Sequence, residues 1–430
     1  MKGNQLFHDA LVSFAERRVI VMKKIIIWGM GNNYQIVLDS IRRDSCEIIG
    51  VIDNRSNILK EIHKEINFID KENLENIEFD CIIISSIDCG TIIQEIRKNN
   101  ISEAKYSSFW NEDDRPDIIN YDKKKIAVLQ KQLADCKVLI ENMPYEINCR
   151  KEEFKYPIIL GMDALIDKLI DEKLSLCRFG DGELDVMLGK QRAWFQKYDE
   201  RIKRRLLEIF NSENKNVVIA VADNFASLDQ YTKHAAMGIR TYLANGHREE
   251  LVEMIGTKRV FYNAYISRPY MIYEDKSNAK NVFDNIKRLW KNRNVLIVEG
   301  KSTRMGVNNT LLSECASVRR ILCPDTEAFN SYETILEKVK ENVNKGDLVL
   351  SVLGQTATIL SYDLALCGVQ AIDIGQIDNE YEWYLRGVQK RIPIPGKTVS
   401  EFCRGFIFEN CELKDYYNQI VCEINNEEDD

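Results

Sequence analysis

The sequence predicts an α/β protein built from two Rossmann-like, parallel-sheet domains joined by a helical linker. Short apolar runs such as KKIIIW, FDCIIISS, NVLIVE and DLVLSVL alternate with stretches of helical periodicity, which is the pattern of parallel strands covered on both faces. At 430 residues the chain exceeds what one hydrophobic core ordinarily serves, so two domains are expected. With 45% hydrophobic and 29% charged residues, it has the balance of a globular protein.

Residues 1–21 read as an extension in which Asp9, Glu16, Arg17 and Arg18 interrupt the apolar part, unlike a secretory leader. Residues 22–118 form the first expected domain. KKIIIW is a strand, followed by Gly29 and Gly31 and a helical stretch through Ile41. CEIIGVID is a second strand ending at Asp53, FDCIIISS a third, and TIIQEIRKNN a helix. Gly29 and Gly31 match the first two glycines of a dinucleotide-binding turn, with Asp53 about 20 residues on, where a ribose-binding acid belongs. Tyr34 replaces the third glycine. That incomplete fingerprint favours a packing or recognition domain over a working nucleotide site.

Residues 119–150 are the expected helical linker. Ile126, Leu129, Leu133, Cys136, Ile140 and Met143 recur in steps of three and four, a heptad seam of barely three repeats. Pro144 is expected to stop the helix. The pattern allows two readings: a linker packed on its own chain, or a homodimer seam through residues 122–143.

Residues 151–411 form the second expected domain, and 412–430 an acidic tail. LSLCRF, VVIAVA, NVLIVE, SVRRILC, DLVLSVL and VQAIDI read as strands, with GDGE as a turn and a helical region from Leu228 to about Glu253. Ligands of such sheets bind at the carboxyl ends of the strands, and four motifs lie there. In RFGDGE, Gly180 and Gly182 allow a tight turn. Asp181 and Glu183 offer hard oxygen ligands for magnesium or manganese, and Arg178 can face a phosphate with paired donors. A glycine turn with helix-start acids explains the same residues. In VEGKSTRMGVNN, the residues Glu299, Gly300, Arg304, Asn308 and Asn309 surround a possible phosphate loop. LGQTAT places Thr356 at a helix start, where N-capping explains it equally well. DIGQIDNEYEW crowds Asp378, Glu380 and Glu382 together, a candidate source of a general base. Tyr381 and Trp383 offer aromatic faces to a sugar, although that spacing is more common in cores.

A net charge of −8 argues against nucleic acid. The 12 cysteines include no CxxC pair, so reduced, buried thiols in a cytoplasmic protein are expected. No apolar run reaches the roughly 20 residues of a transmembrane span, so a lipid-linked substrate would be met peripherally, at the inner membrane surface.

RFGDGEL, FQKYD, SRPY, RLWKNRNVLIVEG, ILCPDTEAF, LGQTATILSYDLA and AIDIGQIDNEYEW stand in this order in the chain. Together they resemble bacterial GT-D-fold glycosyltransferases over about 250 residues. The resemblance implies a UDP-sugar donor, a glycan or glycoprotein acceptor, and a D-x-E metal motif carried by Asp181 and Glu183. It also implies donor-binding roles for Arg178, Gly180, Gly182, Arg268, Thr356 and Gln376. The chain departs from the family pattern where Gln376 replaces a histidine, Gln355 a proline and Asn309 an aspartate. Because Gln376 has no useful basicity, a carboxylate among Asp378, Glu380 and Glu382 is expected to act as base. The competing readings are a nicotinamide-dependent sugar-nucleotide oxidoreductase or epimerase, and a non-catalytic nucleotide-sugar scaffold.

Overall fold

The structure, a computed structural model, describes residues 22–31, 33–54, 56, 59–60, 63–87, 89–111, 115–148, 156–190, 196–399 and 414–425. The chain divides into two compact units between Asp135 and Cys136.

The first unit contains β1 (Lys23–Trp28), α1 (Tyr34–Ser40), β2 (Cys46–Ile52), β3 (Cys81–Ile84), α2 (Gly90–Lys98) and β4 (Tyr106–Ser108). The strands form a parallel sheet in the order β2-β1-β3-β4. Along β1, Ile25 and Ile27 pack into one cluster with Val37, while Ile26 and Trp28 pack into another with Ile96. Burial on both faces is why this strand reads as an unbroken apolar run. β4 (YSS) was not anticipated, because a short edge strand needs no such run.

α3 (Tyr121–Ile147) runs through the division. Pro144 lies inside this helix instead of ending it. So near the C-terminus, its missing N–H forgoes only one late hydrogen bond. The seam of α3 faces solvent: Ile126, Leu129, Leu133, Ile140, Met143 and Ile147 are between 50 and 71% exposed. Lys124, Ala127 and Asn142, from the other side of the helix, are buried. The seam is therefore not what packs this helix on its own chain.

The second unit is a sheet of nine strands among the described residues. Its elements are β5 (Ile158–Leu160), α4 (Met162–Asp171), β6 (Ser175–Phe179), α5 (Asp181–Met187), α6 (Glu200–Phe210), β7 (Val217–Val221), α7 (Lys233–Leu243), α8 (His247–Ile255), β8 (Val260–Asn263), α9 (Ala279–Lys287), β9 (Asn294–Gly300), β10 (Ser317–Cys323), α10 (Tyr332–Asn342), β11 (Leu348–Val352), α11 (Gln355–Leu366), β12 (Ala371–Asp373), α12 (Ile377–Leu385), α13 (Lys414–Gln419) and β13 (Ile420–Glu423). The order is β13-β10-β9-β11-β12-β6-β7-β8-β5, and every pairing is parallel. Cys177 and Phe179 of β6 enter the core on one face, and Leu176 the core on the other.

Three strands were not anticipated: β5, β8 and β13. β13 lies in the expected acidic tail, yet it extends the sheet beside β10. GDGE is not a free turn, since α5 starts at Asp181. The helical region after Leu228 is two helices, broken where Asn245 and Gly246 adopt positive φ of 59° and 78°. Burial of the thiols is only partial: Cys136 and Cys367 are exposed, and the described cysteines are all free.

From β6 the chain moves to β7 on one side, while from β12 it leaves toward β13 on the other. The adjacent ends of β6 and β12 are therefore a topological switch point, where open α/β sheets leave a crevice for ligands.

Candidate active site

At the switch point, Arg178 leaves the end of β6 and spans to β12. Its Nε donates to the carbonyl of Asp373 at 2.9 Å, one terminal nitrogen to Asp373 Oδ1 at 2.7 Å, and the other to Ser267 Oγ at 2.7 Å. Asp373 is 2% exposed and also accepts from Thr358 Oγ1 at 3.0 Å. Gly375 packs against the guanidinium so closely that a Cβ there would collide with it, and its φ is +51°. A cation fixed by three bonds is oriented before any ligand arrives, and a guanidinium retains further N–H donors.

The backbone then turns through Gly180 into α5. Glu183 Oε2 accepts the N–H of Gly180 at 3.0 Å, half of a capping box. Asp181 is exposed, and its Oδ1 accepts the N–H of Gly182 at 3.0 Å. The carbonyl of Gly182 accepts from Gln355 Nε2 at 3.2 Å, so Gln355 ties α11 to this turn. Glu183 is held up to about 7, first by burial and then by the negative charge of Asp373, with Arg178 opposing. A nearby cation would favour its ionised form.

Around α5 the structure adds a cluster that the sequence did not reveal. Asp185 is buried and accepts from Tyr242 OH at 3.0 Å, with His247 Nε2 at 3.1 Å from the same oxygen. Tyr242 OH also lies 3.5 Å from the carbonyl of Asp181. His247 comes from α8, about 60 residues away in sequence, and no local pattern marks it.

The second predicted group has a structural role. Glu299 is fully buried, paired with Arg320, and accepts the N–H of Met305 at 2.7 Å. Its carboxylate is thus engaged inside the fold, which corrects its expected role as a donor ligand. Gly300 leaves room for Asp325, which caps the backbone of Ser302 at 2.8 Å. Arg304 and Asn308 take positive φ of 49° and 60° in the following loop, and the Arg304 guanidinium lies over the Tyr416 ring at 5.8 Å. Asn309 Nδ2 donates to Asp378 Oδ1 and Glu382 Oε1, each at 2.8 Å.

Asp378 and Glu382 are also bridged by buried Lys397 at 2.7 and 3.0 Å. Glu380 is fully buried and accepts the N–H groups of Tyr270 at 2.9 Å and Met271 at 2.7 Å. It fixes the loop that carries Arg268, whose charge acts on it. The expected choice of base among these three acids gains no support from this geometry, since each is buried and engaged in an anchor between loops. Tyr381 and Trp383, 4% and 0% exposed, belong to the core. Thr356 is buried at the start of α11, and Gln376 occupies the N-cap position of α12 without a side-chain capping bond.

In the first unit, Ser85 Oγ donates to the carbonyl of Gly29 at 2.6 Å, and Asp53 Oδ2 accepts the N–H of Met30 at 2.6 Å. Asp53 thus braces the glycine turn. Nothing lies within 4 Å of a Cβ built on Gly31.

Comparison with known proteins adds a further set of findings. The family described as glycosyltransferase GT-D fold matches residues 176–402, and one described as C2185-like, N-terminal matches residues 21–107. The chain is 35% identical over 268 residues to the probable glycosyl transferase Gly of Streptococcus gordonii, covering 62% of this chain and 39% of that one. It is 33% identical over 269 residues to glycosyltransferase GlyD of Streptococcus pneumoniae serotype 4, covering 62% of this chain and 33% of that one. The chain thus spans about a third to two-fifths of the length of these curated relatives. A solved structure titled as the highly conserved domain of unknown function 1792 with a distinct glycosyltransferase fold is 32% identical, with TM-score 0.58. The match covers 63% of this chain and 96% of that one. A second, titled as a new glycosyltransferase from Streptococcus sanguinis, is 32% identical with TM-score 0.58, covering 63% of this chain and all of that one.

Proposed function

This chain belongs to the GT-D-fold glycosyltransferase family, and from that premise we propose that its second unit transfers a hexose or N-acetylhexosamine from a nucleotide-sugar to a glycan or glycoprotein hydroxyl. A UDP-sugar is the first candidate donor, and bacterial surface-glycan assembly the setting. The observation that carries this reading is the constellation at the β6/β12 switch point. It combines an oriented Arg178 with a D-x-E pair at the start of α5.

Among the described residues, no three His, Cys, Asp or Glu side chains form a metal cage. Two carboxylates at a turn instead suit magnesium or manganese, which are commonly held by one or two carboxylates plus substrate phosphates and water. Asp181 and Glu183 would hold such an ion, and when bound it neutralises charge on the departing diphosphate. Arg178, already fixed by Asp373 and Ser267, directs a permanent cation into the same crevice. A preorganised donor of this kind needs no rearrangement as charge develops. Gln355 and the Gly180–Glu183 bond hold the turn in place.

No helix among the described residues is long and apolar enough to cross a membrane. As part of this proposal the enzyme is cytoplasmic and meets lipid-linked or protein acceptors peripherally. The exposed seam of α3 supports a homodimer in which two copies of this helix pair. For the first unit we favour packing or recognition over catalysis, since Asp53 is engaged with the glycine turn.

The test is a panel of UDP-, GDP- and TDP-sugars with manganese, read by released nucleotide. The expected result is turnover of a UDP-sugar that a chelator stops and manganese restores. Folded protein that releases nucleotide from none of them would overturn the reading.

A further inference from the structure

The crevice has a second wall. β7 lies beside β6 with Phe179 opposite Val221, so two residues beyond each strand stand Asp181 and Asp223. Neighbouring strands are about 5 Å apart, which sets Asp223 at the same end of the sheet as the D-x-E turn. Asp223 is only partly buried. Its backbone carbonyl accepts from Tyr231 OH. Its carboxylate, by contrast, takes part in no hydrogen bond or ion pair among the described residues. Burial alone raises its pKa from the ordinary carboxylate range. Asp378, Glu380 and Glu382 differ in their partners, because each is locked to backbone, amide or lysine groups.

The surroundings of Asp223 suit a sugar. The rings of Tyr231 and Tyr265 meet at 5.7 Å, and those of Tyr231 and Tyr273 at 5.3 Å. Asn224 Nδ2 donates to Tyr265 OH at 3.2 Å, while its buried Oδ1 has no hydrogen-bond partner. Tyr265 also feels the charge of Asp181, so this aromatic group reaches toward the D-x-E turn. An apolar surface with a few placed polar atoms is the usual make-up of a small-ligand pocket.

We propose that Asp223 is the general base of the transfer, and that Asn224 with the part-buried Tyr265 and Tyr273, backed by the buried Tyr231, forms the acceptor-sugar subsite beside it. The proposal rests on the glycosyl-transfer reading above. In the step, the acceptor hydroxyl gives its proton to the Asp223 carboxylate as its oxygen forms a bond to the donor's anomeric carbon. The bond from that carbon to the diphosphate oxygen breaks, and its electron pair leaves with the diphosphate. Direct displacement of this kind inverts the anomeric configuration.

The experiment compares the parent protein with Asp223→Asn and Asp223→Ala. It uses UDP-glucose and UDP-N-acetylglucosamine with manganese, and 4-nitrophenyl glycosides or water as acceptor. Asp223→Asn is nearly isosteric and keeps the backbone bond to Tyr231. It is expected to lower turnover about 10²–10⁴-fold, leaving UDP affinity and the melting temperature unchanged. Formate is expected to restore part of the turnover of Asp223→Ala, which a purely structural role would not allow. Turnover within a few-fold of the parent in Asp223→Asn, or a product of retained configuration, overturns the base assignment and leaves the transferase reading standing. A parent protein that releases no UDP overturns both.

Discussion

Arg178 and Asp373 lock together the ends of two strands that are neighbours in the sheet but 195 residues apart in sequence, through bonds of 2.7 and 2.9 Å. The pair closes the switch point and fixes the direction of the part-buried Arg178 guanidinium beside the D-x-E turn. Four expectations follow from this arrangement and from the elements around it.

Gly375→Ala tests how closely the lock is packed. A methyl group there meets the Arg178 guanidinium and also sits at φ +51°. A non-glycine residue in a sparsely populated region costs roughly 1–3 kcal/mol. A lowered melting temperature is expected, together with a loss of turnover larger than the unfolded fraction accounts for. If the variant matches the parent in both, Arg178 does not depend on this contact.

Asp181→Asn and Glu183→Gln keep the shape of the turn while removing anionic oxygens. Both are expected to abolish manganese-stimulated nucleotide release without changing the circular dichroism spectrum. Near-parental activity of both variants at limiting manganese would refute the ligand assignment.

Glu299→Ala and Asp378→Asn separate anchors from chemistry. Glu299 is fully buried against Arg320, and stranding one partner of a buried pair typically costs about 3–5 kcal/mol. Denaturant titration is expected to show a loss of that order for Glu299→Ala. Asp378→Asn keeps a side chain that can still accept from Asn309, and is expected to destabilise less while its folded fraction keeps turnover. A Glu299→Ala protein with parental stability and weakened UDP binding would return this residue to the donor site.

Leu133→Asp and Ile140→Asp address the helix seam. Leu133 and Ile140 are 57% and 66% exposed, so neither change should disturb the fold. Ile126 and Ile140 share one core position of the seam and Leu129 occupies the other, a combination that favours two parallel strands. A seam of about three heptads is short, so a reversible dimer is expected. Sedimentation at rising concentration should show the parent shifting to twice its mass, with both variants remaining at 49.9 kDa. A parent that stays monomeric throughout leaves the seam without this partner.

Much of the scaffold was legible because its physical cause is local. Apolar runs of four residues, covered on both faces, announce parallel strands by themselves; β1, β3 and β9 read this way. β4, β5 and β13 were missed because they are short edge strands, only part-buried. Their pairing comes from a neighbour already in place, not from their own composition.

The sequence by itself determined the alternation of strands and helices, the placing of Asp181 and Glu183 just after the end of β6, and the seam of α3. Each depends on residues within one or two turns of one another. Only the tertiary structure decided which acids are available. Asp378, Glu380 and Glu382 look like a reactive cluster on paper, but Lys397, Asn309 and the Tyr270–Met271 backbone consume them. Asp223 looks like an ordinary residue after a strand, yet it stands opposite the D-x-E turn with its carboxylate unengaged. The reason is that a carboxylate's chemistry depends on its solvation and partners, and here those partners arrive from distant parts of the chain.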